Sequence, residues 1–148
     1  MEWARSGDDV VIVLEPGEEI HTSLRKLADE LGIDGAVITS GIGRTMNSTF
    51  GYMDETFTYH RRVLEQPAEL VTLQGNLARH EDGSAFTHLH ATFADDDFVT
   101  QSGHLFEATV FVVAEIHMRI MSNIIMTVSY THLRAHETRE DRGWRLLL

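Results

Sequence analysis

The chain has 148 residues, 43% of them apolar and 24% charged, with 11 Gly, 2 Pro and no Cys, a composition that describes one globular domain able to bury a core and excludes disordered, collagenous, coiled-coil and disulfide-scaffolded chains. Lys+Arg total 12 against 23 Asp+Glu, so the net charge of -11 opposes phosphate backbones and anionic lipid headgroups unless the few cations gather in one patch. Residues 1–9 already carry Glu2, Asp8 and Asp9 rather than a cationic, apolar leader, and the longest apolar run, 108–114 interrupted by Thr109, is far too short to span a bilayer. The expected location is the cytoplasm, with no membrane partner.

Residues 10–14 form a short, β-branched apolar run closed by Glu15, Pro16 and Gly17, which predicts a first strand and a turn. From Glu18 onward the apolar positions Ile20, Leu24, Leu27, Ala28 and Leu31 follow one helical face, with Glu18 and Glu19 at the positive end and Gly32 as the stop. Residues 36–39 read as a buried strand leading into a tight turn at Gly41, Ile42, Gly43 and Arg44, whose backbone N–H groups offer a weaker second reading as an anion site. Residues 48–53 and 55–63 read as strands around Asp54, and 69–78 as another, before a turn at Glu81, Asp82, Gly83 and Ser84. Residues 86–93 and 98–105 flank the acidic turn 94–97. In the last strand, 108–120, Val110, Val112, Ala114, Ile116, Met118 and Ile120 form an apolar row of period two. Consecutive strands with short turns and a single amphipathic helix give an α+β class: a mostly antiparallel sheet with one main helix packed on it.

Residues 128–148 break this pattern. Back-translated, 128–138 reads like a sequencing adapter translated in frame, and the closing Arg145, Leu146, Leu147 and Leu148 resembles its far end; the stretch is expected to be a non-native tail on a domain of residues 1–127. It carries four Arg and three acidic residues, so setting it aside moves the balance from -11 to -12.

Of nine His, His132 and His136 lie in that tail. His88 and His90 alternate with Leu89 in a predicted strand, so both imidazoles point to one side. A hairpin centred on Asp96 places His104 opposite His88 and diagonal to His90 on the same face, within reach of one ion. Three His with an open fourth position is the arrangement that catalytic zinc uses, and Gly103 leaves room beside it. The competing reading is a polar hairpin that happens to carry three imidazoles.

Glu69 to Leu77, His88-Leu89-His90-Ala91, Ser102-Gly103-His104-Leu105 and Ala114-Glu115-Ile116 resemble the PPC domain, a module conserved between plants and prokaryotes. Leu14 to Glu19 and Ile38 to Gly43 are similar to it as well, so the likeness runs over roughly residues 9–127 in order. The resemblance implies a compact antiparallel sheet with one helix, assembled as a homotrimer, and a Zn2+ site on His88, His90 and His104. Two departures stand out: Ser102-Gly103 where the family has Gly-Gly, and a further strand expected beyond Thr127 where the adapter-like tail stands.

Glu115 and His117 lie across their strand from the apolar row and are weak candidates for orienting a ligand or for general acid/base work, against a plain solvated face. Glu69 either orients a ligand or begins its strand, and Tyr52, Tyr59, Arg61 and Arg62 either line a subunit cleft or are ordinary strand surface. Plant PPC proteins suggest DNA association, yet they grip DNA with an Arg-Gly-Arg-Pro hook; Arg142-Gly143-Trp144 lacks that core, and the net charge disfavours DNA. The fold also resembles acetolactate decarboxylase, which suggests a metal-dependent lyase or hydrolase on a small oxyacid or ester, by analogy alone. A non-catalytic trimeric scaffold is the third reading.

Overall fold

The computed structural model describes residues 1–122, 125–128 and 145–147. In chain order its elements are β1 (Glu2–Ser6), β2 (Asp9–Leu14), α1 (Ile20–Leu31), β3 (Ala36–Met53), β4 (Tyr59–Leu64), β5 (Ala68–His80), β6 (Ala85–Ala94), β7 (Thr100–Ile120), β8 (Ile125–Val128) and β9 (Arg145–Leu147). One sheet and one helix among the described residues confirm the expected α+β class. The pairing is antiparallel except between β5 and β8. β7 pairs with β3, β3 with β5, β5 with β6, and β6 back with β7, so these four strands close into a ring. β1 and β2 extend it beyond β7, and β4 hangs from β3.

α1 begins at Ile20, later than the expected Glu18, because Glu19 turns out as its cap: its carboxylate accepts from the N–H groups of His21 at 3.1 Å and Thr22 at 2.8 Å. Glu18 instead receives the terminal ammonium at 2.9 Å. The helix ends where Gly32 takes φ 62, the left-handed conformation that a glycine reaches without steric cost. Ile20, Leu24, Leu27 and Ala28 are fully buried on the side facing β6 and β7. Each large side chain so covered contributes about 1.5–3 kcal/mol of apolar transfer energy. The rest of the core comes from the inner faces of the strands, including Ile12, Ile38, Leu73, Leu89, Phe93, Leu105 and Ile116.

Several sequence expectations change. β1 went unread because its five exposed residues carry no apolar row. The turn expected at Gly41 to Arg44 is the middle of the continuous strand β3, and Arg44 is bound to Glu69 at 2.6 Å and Asp96 at 2.8 Å. The segments 98–105 and 108–120 are one strand, β7. Its apolar row holds except at Val112, which is 52% exposed beside an irregularity in the β3–β7 register. Of the tail, 129–144 and Leu148 lie outside the described residues; Arg145–Leu147 pairs with β8.

Candidate metal centre

β6 alternates strictly. Thr87, Leu89, Ala91 and Phe93 are buried on the core side, while His88 and His90 project from the other face. β7 brings His104 beside them, with His90, not His88, directly opposite it. This corrects the expected register by two residues. The β6–β7 turn spans Asp95 to Val99 and places Phe98 at φ 60, so its centre is Asp97 instead of Asp96. An even shift leaves every side chain on its expected face, and the three imidazoles still converge.

The three rings lie 5.0 to 5.3 Å apart between centroids. Their candidate ligand nitrogens all fall within 4.8 Å of one another. Two nitrogens on a tetrahedral ion with bonds of 2.0–2.1 Å stand roughly 3.4 Å apart, so small ring rotations bring the set onto one ion. Burial first, and then the neighbouring His88, His90, His21 and Arg61, hold the His104 imidazole down at about 4; burial also lowers His88. Both are therefore neutral near pH 7, the form that ligates metals. Nδ1 of His104 is buried with no hydrogen-bond partner, and leaving such an atom unpaired costs about 1–3 kcal/mol. An all-imidazole donor set with an orphaned ring nitrogen fits a zinc-type ion.

Around His104 stands an aromatic wall. Phe106 packs edge-on against it at 4.8 Å and Tyr59 lies 5.4 Å away. The guanidinium of Arg61 covers the Phe106 ring at 4.0 Å. The space expected beside Gly103 is filled by backbone: a Cβ there would meet the Gly51 carbonyl oxygen at 2.4 Å, so this glycine lets β3 approach and leaves no room for a ligand. Beneath the tripod, on the core side, His21 of α1 donates through Nε2 to the Leu105 carbonyl at 3.1 Å and accepts at Nδ1 from the Thr87 hydroxyl at 2.8 Å. It therefore ties the helix to residues adjacent to His88 and His104. The sequence reading missed this role, although a His at the second helical position of an otherwise apolar face was the available signal.

Glu115 and His117 are not brought to the tripod. His117 sits where β7 meets β2 and β3, bonded to Thr39 Oγ1 at 2.5 Å and facing Asp9 at 3.2 Å, and Glu115 is exposed nearby on the same strand. Glu69 is spent on Arg44. Tyr52 stacks on His60 at 5.1 Å, and Tyr59 and Arg61 stand at the imidazoles.

With this arrangement in view, the chain belongs to the Plants and Prokaryotes Conserved (PCC) domain family, whose model matches residues 1–122. Its fold is that of a PPC protein from Pyrococcus horikoshii, to which it is 25% identical with a TM-score of 0.73, over 90% of this chain and 89% of that one. It is similar also to a metal-containing protein from Archaeoglobus fulgidus, 27% identical with a TM-score of 0.78, over 99% and 96% of the two chains. A protein from Bacteroides thetaiotaomicron, provisionally named as DNA-binding, shares the fold at 24% identity and a TM-score of 0.78, over 86% and 89%. Among curated proteins, a bifunctional GlmU protein of a Synechococcus strain is 30% identical over 92 residues, which are 62% of this chain and only 13% of that one. No helix among the described residues is long and apolar enough to cross a membrane.

Proposed function

We propose that this PPC-domain protein binds one zinc ion per chain on His88, His90 and His104 and presents it to a small-molecule ligand, working in the cytoplasm as a homotrimer. The observation that carries the reading is the convergence of three imidazoles within 4.8 Å, one of them with a buried, unpaired nitrogen. A nitrogen-only set suits zinc among the common ions. When bound, such an ion supplies Lewis-acid polarisation of an oxygen donor. His21 fixes the strand segments that carry His88 and His104, and Tyr59 and Phe106 line one side of the site.

The aromatic wall favours a metal-dependent lyase or hydrolase acting on a small oxyacid or ester over a purely structural trimer. DNA association ranks below both. The chain carries a net charge of -11, and Arg44, Arg79 and Arg119 are committed to carboxylates. Metal analysis of purified protein is the direct test. About one zinc per chain is expected, lost in His88→Ala and His104→Ala; wild-type protein that takes up no zinc overturns the reading.

A further inference from the structure

The cross-strand registers place four positions in one row on the tripod's face. His90 of β6 is opposite His104 of β7, His104 is opposite Gly51 of β3, and Gly51 is opposite Arg61 of β4. Directly opposed residues in antiparallel strands share a face. Arg61 is thus two strands from His104, roughly 10 Å between backbones at the usual strand spacing. The position between them is a glycine, so β3 puts no side chain between the two. The Arg61 side chain crosses this gap and settles 4.0 Å over Phe106, whose ring touches His104 at 4.8 Å.

No carboxylate among the described residues pairs with Arg61. Arg5, Arg25, Lys26 and Arg62 share that lack, but Arg61 alone of these sits over the Phe106 ring that packs against His104. Arg44, Arg79 and Arg119 each hold at least one acid. The Arg61 guanidinium is held near the three imidazoles by an aromatic face and by no carboxylate among the described residues. A guanidinium so placed has its donors free for an oxyanion, and its planar fork matches a carboxylate.

We propose that Arg61 is the anion-recognition residue of the metal site and that the ligand is a small carboxylate carrying a second oxygen donor, with its charge toward Arg61 and its donor toward the tripod. The proposal rests on the tripod holding an ion. One unpaired guanidinium balances one negative charge, which favours a monocarboxylate over a phosphate. Arg62 provides an internal control, because strand alternation sends it to the opposite face.

Cobalt(II) substituted for zinc reports ligands through its visible spectrum, independently of any activity. Titrating the cobalt protein with glycolate should change that spectrum. Arg61→Met should raise the glycolate midpoint about tenfold or more at unchanged cobalt content, whereas Arg62→Met should leave it in place. Equal midpoints for wild type and Arg61→Met, equal shifts in both variants, or no spectral response to glycolate would overturn the inference while leaving the metal reading intact. Inorganic phosphate displacing glycolate at lower concentration would overturn the carboxylate assignment. Failure to take up cobalt would overturn the inference and the metal reading together.

Discussion

His90 stands directly opposite His104 across the β6–β7 pair, so two of the three imidazoles are fixed by a single backbone register. A metal held there clips two strands of the closed ring, and its binding energy adds to folding. Zinc at about 100 times its dissociation constant should add about 2.7 kcal/mol to unfolding. Thermal melts of the zinc-loaded and chelator-stripped protein measure this, and His104→Ala should show no difference between the two.

Metal-free protein should lose stability with acid over a defined window. The folded state holds His104 down at about 4 and lowers His88, against an ordinary value of 6.5. Between those values the unfolded chain binds more protons than the folded one, so stability rises with pH. The contribution is full above 6.5 and is progressively lost as pH falls towards 4. Urea unfolding of the stripped protein at pH 7 and pH 5 should show the lower midpoint at pH 5, and His104→Gln should flatten the slope.

Removing His21 should be costly although it touches no ligand. Its ring satisfies the Thr87 hydroxyl and the Leu105 carbonyl in the core, where only 6% of His21 is exposed. His21→Ala leaves both partners unpaired and opens a cavity under α1, at an expected cost of about 2–4 kcal/mol. Equilibrium denaturation gives the number, and a loss below 1 kcal/mol would show that water replaces the imidazole.

Phe98 makes the opposite prediction. It holds φ 60 with 89% of its surface exposed, so a bulky residue takes a left-handed conformation without burial in return. Phe98→Asn suits that conformation and should stabilise the protein by about 0.5–1 kcal/mol. An unchanged melting temperature would mean that the ring is supported by contacts in the assembled protein.

Much of the fold was legible because the apolar periodicity was clean: the helix through Ile20, Leu24, Leu27 and Ala28, and β7 through Ala114, Ile116, Met118 and Ile120. That His88 and His90 share a face was readable from the alternation around Leu89, and that His104 joins them from the hairpin that follows. Their pairing was not, because the turn 95–99 is built on Asp95 accepting from the Val99 N–H at 2.9 Å, with an aromatic residue where a glycine would have announced the left-handed position. The same construction recurs at Asp54 to Thr58, with Phe57 at φ 62, and shortened the strand expected at 55–63 to β4. Long-range partnerships such as Gly51 with His104, or His21 with Leu105, leave no local trace in the chain. They exist only once the ring has closed.

The two sides of the candidate site differ in how they are anchored. The imidazoles stand on β6 and β7, each bonded along both flanks in the closed ring, whereas Arg61 rides on β4, which pairs with β3 alone among the described residues. A strand held on one flank opens more readily than one held on two, so amide hydrogens of β4 exchange with solvent sooner than those around His90 and His104. The candidate ligands form a fixed floor, and the arginine is carried on a hinged wall.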